Sequence, residues 1–158
     1  MSSIIVREYL KNWNRDKDVI EFVDSTATVD LAAAALNVDQ GRIAKSLTFR
    51  ANSGALMVVV CGDMKIDNRK FKGHFGQSPK MLNSDEAFKF TGFPVGGICP
   101  FALPNGLGVY LDNSMKRFNS VFLACGDANS MIQIELADLE NYSKALGWVD
   151  VCKMVERC

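Results

Sequence analysis

Apolar and polar positions alternate with period two over residues 43–50. Ile43, Lys45, Leu47 and Phe49 fall on one face of a predicted strand and Ala44, Ser46, Thr48 and Arg50 on the other. The turn residues Asn52, Ser53 and Gly54 follow, and then residues 56–61 are apolar throughout, which predicts the second strand of a hairpin, buried on both faces. Further strands are predicted over residues 19–23, 108–111, 121–125 and 132–136; in the last, Ile132, Ile134 and Leu136 lie opposite Gln133 and Glu135. An amphipathic stretch over residues 6–13 predicts a short helix, followed by a charged turn at 14–18. An alanine-rich helix over residues 29–36 is bracketed by Thr28 as N-cap, Asp30 in the first turn and Asn37 at the left-handed closing position. Asp67 and Ser84 each predict the cap of a short helix, the second ending at Gly92. A last helix over residues 138–146 is stopped by Gly147 and leads into 148–152. Strands outnumber helices, hairpin links recur and regular β-α alternation is missing, so the fold class is α+β rather than doubly wound. Without repeats, low-complexity segments or linkers, the expectation is one domain over residues 1–158.

Lys45 breaks the apolar face. An ammonium at a core-facing strand position is costly unless it is paired, solvated in a cleft or used on a ligand. A lysine near a strand's start also snorkels to water while its stem covers apolar surface. The cleft reading makes Lys45 the lead site residue.

Composition narrows the classes. With 48% hydrophobic and 23% charged residues, the 158-residue chain is ordinary for a globular protein and long enough to bury roughly two-thirds of its unfolded surface. No apolar run approaches the ~20 residues of a membrane span. Residues 1–8 lack the basic region, apolar core and cleavage site of a signal peptide, so a cytoplasmic location without a membrane partner is expected. Cys61, Cys99, Cys125, Cys152 and Cys158 form an odd set without a C-x-x-C, which argues against a disulfide framework or zinc site and for buried small hydrophobes. His74 is the one histidine, and no metal is expected. The net charge of zero conceals an asymmetry: Lys65, Arg69, Lys70, Lys72, Lys80 and Lys89 outnumber the acids around them, while residues 127–150 are mostly acidic. The basic stretch suits phosphate contacts or a solvated helix face.

Residues 91–101 hold three glycines and two prolines, so they form a shaped loop. The pair Gly96 and Gly97 lets backbone amides approach a carbonyl or a developing oxyanion, and Pro100 limits how the loop relaxes; a plain tight turn has similar composition. A second loop, residues 124–130, offers Asp127 either as an orienting carboxylate for Lys45 or water, or as an exposed turn residue.

Taken in order, Thr26 to Val29, Ala35 to Val38, Ile43-Ala44-Lys45-Ser46-Leu47, Gly62-Asp63, Gly96-Gly97-Ile98-Cys99-Pro100, Tyr110-Leu111-Asp112 and Ile134-Glu135-Leu136 resemble the YbaK/ProX family. These are free-standing relatives of the editing domain inserted in bacterial prolyl-tRNA synthetases, and the resemblance covers residues 19–152. It implies a small mixed barrel-like sheet flanked by helices, and hydrolysis in trans of the ester joining a wrong small amino acid, cysteine or alanine, to the tRNA for proline. It also implies no cofactor and, by analogy, association with prolyl-tRNA synthetase. The family's lysine matches Lys45 and its G-x-x-x-P loop matches Gly96, Gly97 and Pro100. The resemblance thus makes Lys45, Gly96 and Gly97 the expected catalytic set, with Ile98, Cys99 and Pro100 of the same loop near substrate; Asp127, in a loop where family members differ, and Ser46, next to the lysine but on the other strand face unless a bulge intervenes, are added to the substrate side by position. Lys65, Arg69, Lys70 and Lys72 are the expected contacts to the tRNA backbone. An aminoacyl ester is already activated, so orienting water and stabilising the oxyanion suffices without a protein nucleophile. Two other readings stay open: a tRNA-binding module without hydrolysis, and a small-ester hydrolase using the Cys99 thiol beside a cationic lysine.

Overall fold

The computed structural model describes residues 2–52, 54–104 and 106–155; Met1, Ser53 of the predicted turn and Cys158 lie outside the described residues. Along the chain run α1 (Ser2–Leu10), β1 (Ile20–Glu21), α2 (Val29–Leu36), β2 (Ala44–Ala51), β3 (Gly54–Cys61), β4 (Met64–Ile66), α3 (Asn68–Phe75) and α4 (Ser84–Thr91). They are followed by β5 (Gly108–Asp112), β6 (Ser120–Ala124), β7 (Ser130–Glu135), α5 (Leu136–Tyr142), β8 (Gly147–Val149) and β9 (Cys152–Met154). The architecture is α+β, as the pattern predicts.

A four-stranded sheet runs in the order β2-β3-β5-β8, with β2 antiparallel to β3 and the other two pairs parallel. A second sheet runs β1-β7-β6, and β4 pairs with β9. The uniformly apolar β3 explains the layering. Met57, Val59 and Cys61 face a core shared with Val6 and Leu10 of α1 and with Leu123, Ile132 and Ile134 of the second sheet. Val58 and Val60 face a separate core holding Phe49, Phe71 of α3, Val149 and Val151. Both faces of one strand are thus covered, by a sheet on one side and a helix on the other. Among the described residues no helix is long and apolar enough to cross a membrane.

Caps behave as the sequence signals. Thr28 accepts from the Leu31 amide, and Asn37 closes α2 at φ 55°. Asp67 accepts from the Arg69 and Lys70 amides at the start of α3.

Four expectations need correction. The residues 6–13 helix becomes α1 plus a 3-10 turn at Lys11–Trp13. Only Ile20 and Glu21 of residues 19–23 pair as strand, because the chain then turns to bond the Asn129 and Ala128 carbonyls from Phe22 and Thr26. Asn83, not Ser84, caps α4: its side chain takes the Glu86 amide while the Glu86 carboxylate takes the Asn83 amide. The last helix spans Leu136–Tyr142, since Lys144 turns left-handed at φ 53° and the Leu146 amide bonds the Val109 carbonyl, steering the chain into β8.

Candidate active site

β2 is an edge strand, and its free edge is only partly covered. In an antiparallel pair, alternate residues bond the partner strand while the others turn their N–H and C=O outward. The Thr48 carbonyl accepts from the Leu82 amide and the Arg50 amide donates to the Lys80 carbonyl, so the even-numbered residues of β2 face out. At the other end, Ile43 bridges Phe122 of β6. The segment from Lys80 to Leu82 leaves the edge where Asn83 starts α4, so the Ser46 backbone lies between two covered stretches. The gap opens into a cavity of about 260 Å³.

Lys45, Ser46, Gly96 and Ile98 all line this cavity. Lys45 sits opposite Val60 in an unbroken register and is half-buried. Burial lowers its ammonium pKa below the usual lysine value, opposed by Cys152, Asp63 and Cys61 nearby. Asp63 itself holds Arg117 through two oxygens at 2.7 and 2.9 Å. Lys45 thus stands at the cavity wall with part of its side chain exposed. Ser46 reaches the same cavity without a bulge, because a cavity at a strand edge meets side chains of both faces.

The opposite wall is the glycine loop. Gly96 has φ +91°, and a Cβ there would lie 2.8 Å from the Ala27 Cβ. At Gly97 a Cβ would lie 2.5 Å from the Asp127 nitrogen and 2.6 Å from the Gly126 oxygen. The Gly126 amide donates to the Gly97 carbonyl at 3.0 Å, stitching the two loops together. The paired glycines therefore serve close backbone packing. That corrects one expectation: the Gly97 amide donates to the Pro94 carbonyl at 2.9 Å, so it is occupied within the loop. Among the described residues no acceptor takes the Gly96 or Ile98 amide, and both residues line the cavity.

Other expected site residues stand further back. Cys99 is fully buried, does not line the cavity, and burial pushes its thiol up to about 12. A thiol so protonated and enclosed lacks the character of a nucleophile. Pro100 borders a separate cavity behind the loop. Asp127 accepts from the Asn129 amide at 3.1 Å, an Asx turn, and does not line the cavity. Lys65, Arg69, Lys70 and Lys72 lie on β4 and α3, exposed and away from the cavity, with Lys70 engaged by Asp150 and the Cys152 carbonyl. The pattern of the sequence did not reveal Thr26, Thr28, Met81 or Asn83 as cavity residues. Asn83-x-x-Glu86 was a readable capping box; exposed Met81 and Val95, which rim the cavity, carry no periodic signal.

The α+β fold matches that of YbaK-type editing enzymes. The chain belongs to the family of the aminoacyl-tRNA editing domain, whose model matches residues 23–142. It is 46% identical over 154 residues to the "Uncharacterized protein YwhH" of Bacillus subtilis (strain 168), covering 97% of this chain and 98% of that one. It is 26% identical over 133 residues to the "Putative Cys-tRNA(Pro)/Cys-tRNA(Cys) deacylase EbsC" of Enterococcus faecalis, covering 83% of this chain and 74% of that one. A solved structure described as a "putative trans-editing enzyme for prolyl tRNA synthetase" superposes with a TM-score of 0.86 at 27% identity, covering 96% of this chain and 97% of that one.

Proposed function

We propose that this protein hydrolyses, in trans, the ester of a mischarged tRNA, with cysteine ahead of alanine on the tRNA for proline as substrate. The observation that carries the reading is the meeting of Lys45 with Gly96 and Ile98, whose amides have no acceptor among the described residues, on one cavity of about 260 Å³. That volume lies just below the ~300 Å³ at which pockets for drug-sized ligands begin, so it suits a small aminoacyl group, with the tRNA beyond its acceptor end left outside. The two relatives whose names mention prolyl-tRNA synthetase or Cys-tRNA(Pro) support the choice of tRNA.

Lys45 holds the terminal phosphate or ribose and fixes the ester against the loop. The Gly96 and Ile98 amides stabilise the oxyanion that forms when water adds to the ester carbonyl. Collapse breaks the acyl–oxygen bond: water supplies the hydroxyl of the free amino acid, and a proton passes to the departing ribose oxygen. The neighbouring ribose hydroxyl assists the attacking water. The exposed cations Lys65, Arg69 and Lys72 contact the tRNA backbone, and prolyl-tRNA synthetase is the proposed protein partner.

Single-turnover deacylation of cysteinyl-, alanyl-, seryl- and prolyl-tRNA for proline, wild type against Lys45→Ala, tests this. The expected result is selective release of one small amino acid, reduced at least 100-fold by the substitution. Release that survives Lys45→Ala removes the lysine from the mechanism, and no release from any substrate removes hydrolysis.

A further inference from the structure

The uncovered stretch of β2 offers a donor and an acceptor from one residue. Outward bonds from Thr48 and Arg50 set the parity of the strand, and the Ile43 carbonyl taking the Gly62 amide on the inner side agrees with it. Ser46 therefore points both its N–H and its C=O into the cavity, between the Ile43–Phe122 bridge and the Thr48–Leu82 bond. Had the chain beyond Leu82 continued as a strand, Ser84 would have lain opposite Ser46; Asn83 instead starts a helix there. The sheet is missing one residue at this point.

We propose that the aminoacyl group of the substrate is that residue: it binds as a one-residue antiparallel β-strand against Ser46, its ammonium donating to the Ser46 carbonyl and its ester carbonyl accepting from the Ser46 amide. This rests on the editing reading above. An aminoacyl ester carries the same N–Cα–C=O unit as a residue in a strand, so both bonds form together in the geometry of a hydrogen-bonded antiparallel pair.

Three consequences follow from strand polarity. The Ser46 N–H lies on the Lys45 side of its Cα and the C=O on the Leu47 side, so the pairing carries the scissile carbonyl toward Lys45. Ser46 becomes a backbone donor to the oxyanion in the same cavity that Gly96 and Ile98 line. Opposed residues of a pair share a sheet face. An L-aminoacyl side chain therefore projects beside Ser46, between Ala44 and Thr48, where both walls are small. The ammonium and carbonyl are held by main chain whatever the side chain, and these walls read its size.

The probe is 3′-deoxy-3′-alanylamido-adenosine, an amide that the site cannot hydrolyse. Its titration into the 15N-labelled protein is expected to move the Ser46 amide proton downfield and slow its exchange at least tenfold. The propanoyl analogue, which lacks the ammonium, binds at least tenfold more weakly. Proline is tolerated on edge strands where the missing N–H faces outward, so Ser46→Pro removes this donor and keeps the ladder to β3. Its affinity for the probe falls at least tenfold below that of Ser46→Ala, which keeps the amide. If the probe binds with the Ser46 amide unmoved, or if Ser46→Pro matches Ser46→Ala in binding and deacylation, the pairing is overturned while editing stands. If the wild type neither binds the probe nor cleaves any mischarged tRNA, the editing reading falls and takes the pairing with it.

Discussion

Lys45 is held half-buried without an ion-pair partner among the described residues, and burial depresses its pKa. Such a position costs stability and is kept where a ligand needs the charge. Lys45→Met keeps the stem and removes the charge, so it is expected to raise stability by about 0.5–2 kcal/mol in urea denaturation while deacylation falls at least 100-fold. An unchanged or lower midpoint would show that the ammonium is satisfied where it lies. Titration gives a second check of opposite sign. The buried Cys99 thiol is pushed up from 9.0 to about 12, and the Cys61, Cys125 and Cys152 thiols are also raised, all mainly by burial. Below pH 9 these thiols are protonated folded and unfolded alike. Above it the unfolded chain releases protons that the native state retains, so stability falls as pH rises. Lys45 acts the other way, because its native pKa lies below 10.5 and the unfolded chain holds the extra proton in that window. The urea midpoint is therefore expected to drop from pH 8 to 10.5, less in Cys99→Ala and more in Lys45→Met.

At the scale of elements, the caps carry the clearest energetic content. The reciprocal Asn83–Glu86 box both starts α4 and ends the stretch that covers β2. Asn83→Ala is expected to cost about 1 kcal/mol and to weaken substrate binding, since the same turn shapes the cavity wall; a loss of stability with an unaltered KM would separate the two roles. Elements with a local signal were legible in the chain: α2 between Thr28 and Asn37, the β2–β3 hairpin, and β7 with its alternating isoleucines. What the sequence hid was set by distant partners. β4 and β9 are three residues each and exist because Met64 to Ile66 meet Cys152 to Met154 across most of the chain. β1 shrank because loop carbonyls at 128 and 129 claimed Phe22 and Thr26. In the site, Lys45 and the glycine loop were readable as a misplaced charge and a shaped turn. That Gly97 would spend its amide on Pro94 depends on one turn's geometry, and that Ser46 would share the cavity with Lys45 depends on β2 being an edge; neither fact has a local pattern.

Across the whole molecule the charge of zero is unevenly spread, and the register sharpens where the basic surface lies. Lys65 stands directly opposite Lys153 in the β4–β9 pair, both exposed. Like charges directly opposed in a sheet destabilise it, so an anion bound between them relieves a strain already present. Lys70 differs from its neighbours: at 3.1 Å from Asp150 and 3.0 Å from the Cys152 carbonyl it ties α3 to the strand beside it. On the proposed function, Lys65 and Lys153 neutralise backbone phosphates of the bound tRNA, and Lys70 does not. Each lost phosphate contact lowers the slope of log affinity against log salt by about 1. The double variant Lys65→Glu, Lys153→Glu is therefore expected to lower that slope by about 2 and to weaken tRNA binding. The single-turnover rate at saturating enzyme should remain near that of the wild type, since the cavity is untouched. Lys70→Glu is expected to lower thermal stability and leave the slope nearly unchanged. Equal slopes for the double variant and the wild type would place the tRNA on another face, leaving the opposed lysines as a plain cost of pairing these two short strands.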